Sequence, residues 1–288
     1  MKILYITNHI NIAKISGGFL NDYLNDLLFY GFTELDEIEV TDSTPIIHLY
    51  KENQDKIPTH HLWGKGFTST YLIDKDTVDR TDIEEKIKDK YFDFIIYGTV
   101  KRCLDHYDLV SSIYPSNKII LIDGDDFTGV SPLSTKHPYF KRELLDSKML
   151  PIHFAIPESK ITQIKSDKTQ EYGSIIPGQG EYKFNIEQEY YNDYNKSYFG
   201  VTMKKAGWDC MRHYEILANN CIPYFTDIHE CPKNTLTNLP KELLLEAREL
   251  ANNFDEQKYF SILNELFEYT KSHLTTKELA KYVLEKIA

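Results

Sequence analysis

Short apolar runs alternate with amphipathic stretches along most of this chain, and that alternation predicts strands separated by helices. Lys2 to Asn8 is an apolar run that turns polar at its end, and Ser16-Gly17-Gly18 follows shortly after. Phe19, Leu20, Tyr23, Leu24, Leu27 and Leu28 then recur at helical spacing. Strand, glycine turn and helix make the opening unit of a doubly wound domain. Pro45 to Tyr50 reads as a further strand. Thr81 to Tyr91 reads as a charged helix capped by Thr81 or Asp82, and Phe92 to Gly98 is the continuous apolar run of a buried parallel strand. A helix over Leu104 to Tyr114 and a strand over Lys118 to Asp123 repeat the order. Right-handed crossovers and a parallel sheet follow, with the C-terminal strand ends facing a ligand crevice.

The pattern then breaks and restarts. Pro151 to Pro157 is a proline-bracketed apolar segment, and Glu158 to Gly180 is polar with Pro177 and Gly178, so a domain boundary is expected there. Glu187 to Tyr198 reads as a helix, Tyr198 to Thr202 as a strand, and Glu242 to Ala288 as helical scaffold. The expected fold is α/β, with two Rossmann-like domains facing a cleft and helices at the C-terminus. Residues 1–155 would form the N-terminal domain on the acceptor side, and residues 156–288 the donor domain. The irregular stretch from Lys51 to Arg80, with His60, His61, Trp63 and Gly64-Lys65-Gly66-Phe67-Thr68, is long enough to suggest a functional loop shaping the acceptor side.

Composition narrows the class. The 288 residues are 41% hydrophobic and 27% charged, as in a folded globular protein large enough for two domains. Forty-four acidic against 33 basic side chains give a net charge of −11, which argues against nucleic acid held over the whole surface. Four cysteines, at 103, 210, 221 and 231, lack the spacing of a zinc site. No apolar run has the length of a signal-peptide core or a membrane span, and a cytoplasmic protein is expected.

The densest chemistry lies between Lys204 and Phe225. Two lysines, Lys204 and Lys205, precede Gly207 and Asp209, then comes a helical run through Ala218 and a short apolar strand. A helix N-terminus presents unpaired N–H groups and a positive dipole end to an anion, and the lysines add full charge. Arg212 and Glu215 share a helix face. A carboxylate beside a phosphate site needs a donor in the ligand, and paired ribose hydroxyls supply one. The plainer reading makes Asp209 an N-cap and Arg212 with Glu215 a surface ion pair contributing about 0.2–0.5 kcal/mol. Gly17 and Gly18 offer close backbone approach to a phosphate or acceptor, or simply a tight turn.

Arg212-x-x-Glu215 followed by Cys221-Ile222-Pro223 resembles the donor-site helix of exostosin-like glycosyltransferases and, more widely, of GT-B glycosyltransferases. The match covers about twenty residues, beyond which only the architecture agrees. The resemblance implies that Glu215 binds the nucleotide ribose and Arg212 the diphosphate. Many GT-B enzymes carry a second glutamate eight positions earlier, where this chain has Gly207, so Asp209 is the nearest substitute for contacts to the donor sugar.

Asp123, Asp125 and Asp126 end a strand and are the candidates for a catalytic base, with His9 and His153 behind them. The same cluster resembles the metal-binding Asp-x-Asp of GT-A glycosyltransferases, and it reads equally as a turn of solvated carboxylates. Lys141-Arg142 stands near an expected helix start, where Arg142 would meet a phosphate or neutralise the aspartates. The function expected is transfer of a sugar from a nucleotide-diphosphate sugar to a glycan or other hydroxyl acceptor. Lys204, Lys205 and Arg212 would carry the leaving-group charge, with no cofactor and no metal required. A non-catalytic nucleotide or sugar-phosphate binding protein, a metal-dependent GT-A-like transferase using Asp123 and Asp125, and a DNA-base glucosyltransferase are the rival readings.

Overall fold

The computed structural model describes residues 1–7, 21–145, 148–165, 167–179 and 183–288. Gly17, Gly18 and His9 therefore lie outside the described residues. Two parallel sheets with helices packed on them make an α/β fold, as the alternating pattern predicts.

The first sheet is built around β1 (Lys2–Ile6), whose residues from Ile3 onward are fully buried. Helix α1 (Tyr23–Thr33) follows, capped by Asp22, whose side chain accepts the Leu24 and Asn25 N–H groups. Then come β2 (Glu39–Asp42), α2 (Ile83–Lys88), β3 (Phe94–Tyr97), α3 (Tyr107–Ile113), β4 (Ile119–Asp123), β5 (Tyr139–Lys141) and β6 (Leu150–Pro151). Their order is β2-β1-β3-β4-β5-β6, with every neighbouring pair parallel. The order reverses at β1, which opens a crevice at the C-terminal strand ends.

Two local expectations give way to tertiary pairing. The strand beside β1 is Glu39–Asp42, and the apolar run expected to be that strand instead makes one helical turn at Ile47–Leu49. Asp42 bends the chain there by accepting the Ile46 N–H at 3.3 Å, while Ile46, Leu49 and Tyr50 still reach the core. Likewise, Tyr139–Lys141 is a strand on the free edge of β4 and not a helix start. Its alternation sends Phe140 into one core and Tyr139 into the other.

The second sheet has three parallel strands, β7 (Gln170–Tyr172), β8 (Ser197–Thr202) and β9 (Ile222–Phe225), with β8 in the centre. Helix α4 (Glu187–Asn195) precedes β8, and α5 (Met211–Ala218) joins β8 to β9. Helices α6 (Lys241–Leu250) and α7 (Glu256–His273) bury Leu244, Ala247, Tyr259, Leu263 and Leu266 against Tyr214, Ile222 and Phe225. The last helix, α8 (Thr276–Ile287), returns to the first half. Its Leu279, Ala280 and Val283 share a core with Leu28, Phe29 and Phe32 of α1. Among the described residues no helix is long and apolar enough to cross a membrane.

The contact between α1 and α8 depends on Gly31, where an added Cβ would collide with the carbonyl oxygen of Thr276. Backbone cannot yield as a flexible side chain can. Gly31→Ala should therefore destabilise the protein by about 1–3 kcal/mol despite alanine's better helix propensity. Urea unfolding measures it, and an unchanged or raised midpoint would count against this packing.

Candidate functional site

Loops leaving the C-terminal ends of both sheets face one another across a cleft of about 1050 Å³. The first sheet contributes Arg102 after β3, Gly124 to Phe127 after β4, Arg142 after β5 and Phe154 after β6. The second contributes Ser174 to Gln179 after β7, Lys205 to Gly207 and Asp209 to Arg212 after β8, and Glu215 one turn into α5. Asp125, Asp126, Arg142, Lys205, Asp209, Arg212 and Glu215 are thus brought together; Asp123 and Lys204 are not.

The floor is the β8–α5 connection. It turns tightly, with the Lys205 N–H on the Gly207 carbonyl at 3.0 Å. A Cβ on Gly207 would sit 2.6 Å from Glu143 Oε1 and 2.9 Å from Asp126 Oδ1, so no larger residue fits without moving two carboxylates. Cys210, and not Asp209, is the residue before the helix, and no side chain caps it; the His213 N–H turns back to the Cys210 carbonyl at 3.0 Å, and the Met211 and Arg212 N–H groups are left for an anion. On that turn Arg212 holds Nη1 buried without a hydrogen-bond partner. Arg212 and Glu215 form no ion pair among those found in the described residues, so the surface-pair reading does not hold.

Glu215 is 5% exposed yet reaches the cleft. Its Oε1 accepts the Thr68 hydroxyl at 2.7 Å and its Oε2 the Tyr190 hydroxyl at 2.6 Å. Burial raises its carboxyl above the usual range, against the two hydrogen bonds and Arg212, which pull it down. Phe67 stacks on Tyr190 with centroids 5.7 Å apart, giving the cleft an aromatic wall. Thr68, Tyr190 and Phe67 were not singled out by sequence. The only signals were the glycine-rich loop containing Phe67 and Thr68 and the tyrosines of the segment that became α4.

Four of the five N–H groups of Arg142 are taken up by protein acceptors. Its Nε donates to the Gly124 carbonyl at 2.9 Å and its Nη1 to Glu143 at 3.2 Å. Further bonds run from Nη1 to the Asp209 carbonyl and from Nη2 to Asp126, so the neutralising role is the one observed. Asp209 in turn accepts the Phe154 N–H at 2.8 Å on Oδ2, and the Tyr214 hydroxyl also bears on its carboxylate. Asp125 lies 3.5 Å from Arg102.

Asp123 is corrected as a base and as a metal ligand. Its carboxylate is buried, 2.8 Å from Lys141 Nζ and bonded to the Tyr139 hydroxyl, with nothing left for the cleft. Among the described residues no three His, Cys, Asp or Glu side chains gather as a metal-binding group. His153 does not line the cleft, and burial pushes its imidazole down to about 4. Lys204 stands 5.2 Å over the Trp208 ring, outside the cleft.

No protein-family model matches the chain, and no curated protein matches it in sequence. Two solved structures are similar in shape over nearly the full length. One, alpha-glucosyltransferase in complex with UDP-glucose and DNA containing an abasic site, has a TM-score of 0.46 at 12% identity over 99% of this chain and 98% of that one. The other, alpha-glucosyltransferase in complex with UDP and a 13-mer DNA containing a central A:G mismatch, has 0.48 at 13% over the same shares. At such identities and scores the likeness fixes neither donor nor acceptor for this chain.

Burial pushes the Asp209 carboxyl up to about 7 from an unperturbed 3.8, against the pull of Arg142. A carboxyl whose folded pKa is raised contributes stability that is full below about pH 4 and is lost as pH rises through about 7. Asp209→Asn removes the titration. Urea unfolding at pH 4 and pH 8 should show a wild-type loss, on the order of a few kcal/mol at most, that shrinks in the variant. An equal loss in both proteins would show that Asp209 is not its source.

Proposed function

We propose that the cleft binds a nucleotide-diphosphate sugar and that the protein transfers its sugar to a hydroxyl acceptor, a glycan being the acceptor expected. The observation that carries this reading is the floor of α5. An arginine with an unpartnered buried Nη1, an uncapped helix N-terminus and a carboxylate one turn on stand together at the base of a two-walled cleft. Diphosphate suits the first two, and a ribose diol suits the third. Lys205, at the cleft lip, adds charge as the leaving group departs. In this reading those groups stabilise the diphosphate without requiring a metal. The half comprising residues 1–155 faces the acceptor and the half comprising residues 156–288 holds the donor. The exostosin-like resemblance rests on the helix string alone.

Asp125 and Asp126 are the remaining carboxylates for taking the acceptor proton, and they line the wall opposite Arg212. Each is near an arginine, Asp125 near Arg102 and Asp126 with Arg142. That pairing keeps a second reading in play, a nucleotide or sugar-phosphate binding protein without turnover. Hydrolysis of the donor by purified protein separates the two.

The test is thermal and denaturant stabilisation by UDP-, GDP- and CMP-sugars, with salt-sensitive binding of duplex DNA measured alongside as the rival acceptor. At a hundred times its Kd a true ligand stabilises by about 2.7 kcal/mol. Arg212→Met should weaken binding by about tenfold or more, cutting that stabilisation to about 1.4 kcal/mol or less at the same ligand concentration, while leaving the free protein at least as stable because it removes a buried unpaired charge. No shift with any nucleotide, or an unchanged shift in the variant, would overturn the proposal.

A further inference from the structure

We propose that Thr68, from the half opposite the donor helix, is a positioning residue that fixes the Glu215 carboxylate for the donor's ribose diol. The inference rests on the donor-site reading above and adds a residue that the helix string does not contain.

Thr68 is completely buried, and its φ of 71° lies in the left-handed region that β-branched residues avoid. Such strain persists only where the surroundings over-determine it. Here they do. The Thr68 N–H donates to Glu187 Oε1 at 2.6 Å and the hydroxyl to Glu215 Oε1 at 2.7 Å, both across the cleft. Lys65, three residues earlier, anchors the same loop to the Phe184 carbonyl at 2.7 Å and Asn185 Oδ1 at 2.6 Å. The loop is therefore bent out of its preferred backbone where the Thr68 hydroxyl meets the Glu215 carboxylate and, at 2.6 Å, the Tyr191 hydroxyl.

The geometry explains why that carboxylate suits a diol. Thr68 occupies one site on Oε1 and Tyr190 one site on Oε2, while an ionised carboxylate offers about four. Each oxygen keeps acceptor capacity, and the two donors lock the plane in which it points. A vicinal pair of hydroxyls can then bond both oxygens at once, whereas a single hydroxyl uses only half of the site. The charged groups facing Glu215 are Arg212 on its own helix and Glu187 on α4, the latter paired with Lys160 at 2.8 Å. Tyr190, Tyr191 and Tyr194 on α4 are the titratable hydroxyls nearby, and Tyr191 donates to Glu187 at 2.8 Å. Removing the Thr68 donor leaves the carboxylate less stabilised, so its ionisation moves to higher pH.

The test uses the nucleotide sugar that stabilises the wild-type protein most and measures its Kd from acid to mildly alkaline pH. Thr68→Val keeps the shape and deletes the donor, and it should bind about tenfold more weakly with the acid limb displaced to higher pH. Thr68→Ser keeps the hydroxyl and should restore wild-type affinity and profile. Thr68→Gly relaxes the backbone and also lacks the donor, so it should fold at least as well and still bind weakly. That combination separates positioning from mere structural support and stands in for the valine variant if valine does not fold. If wild type binds nucleotide while the valine and glycine variants match its affinity and profile, the role of Thr68 is overturned and the donor site stands. If wild type binds no nucleotide sugar, the donor site itself falls, and this role with it.

Discussion

The Arg142 guanidinium is the interaction the rest of the architecture depends on. It leaves the end of β5 in the first sheet, stacks 4.6 Å over the Phe154 ring, and donates to Gly124, Glu143, Asp126 and the Asp209 carbonyl. Three of those acceptors belong to the first half and one to the β8–α5 loop of the second. The planar fork makes this possible, because one rigid group can meet acceptors that diverge. A buried arginine held in this way ties the β8–α5 loop to the ends of β4 and β5. Breaking such a buried arrangement from one side costs about 3–5 kcal/mol, since the partners are left charged or unpaired.

Much of the scaffold was legible because it obeys local rules. Ile95, Ile96, Ile120, Leu121 and Ile122 read as buried parallel strands, and they are. What was not legible is non-local. Gln170–Tyr172 is a strand only because β8 offers its edge. Lys141 is expected near a helix start and is instead on a strand, buried against Asp123, an arrangement decided by a strand pairing that no local window contains. The same limit applies to the site. Its donor-side residues lie on one helix and its preceding turn and could be read together, whereas Thr68 meets Glu215 across 147 positions of sequence.

The loop carrying Thr68 shows where the chain stores strain. Gly64, Lys65, Gly66, Thr68 and Tyr71 all have positive φ, and only two of the five are glycine. Asn21 secures the start of the loop, donating to the Trp63 carbonyl at 3.3 Å and accepting the Trp63 N–H at 2.7 Å. Gly64 leaves room for the Tyr23 hydroxyl. A loop held at so many points is pre-organised, so ligand binding need not supply the ordering free energy that a free loop would demand. Its position at the cleft makes that rigidity useful to binding, in keeping with strain gathering at functional sites.

The polar groups lining the β8–α5 side of the cleft define a direction along it. Arg212 Nη1, a donor with full positive charge behind it, lies at the helix N-terminus, and Asp209 Oδ1, an acceptor, lies toward the Arg142 bolt and Phe154. Glu215 sits one turn beyond Arg212, with its acceptor capacity half used. An anion alone would satisfy the first and be repelled by the other two, and a neutral sugar alone would leave the cation unmet. A ligand with hydroxyls at both ends and anionic charge between them satisfies all three in one orientation. In the reading proposed above, that is the order of ribose, diphosphate and sugar in a nucleotide-sugar donor, and the sugar would then be directed toward Asp209.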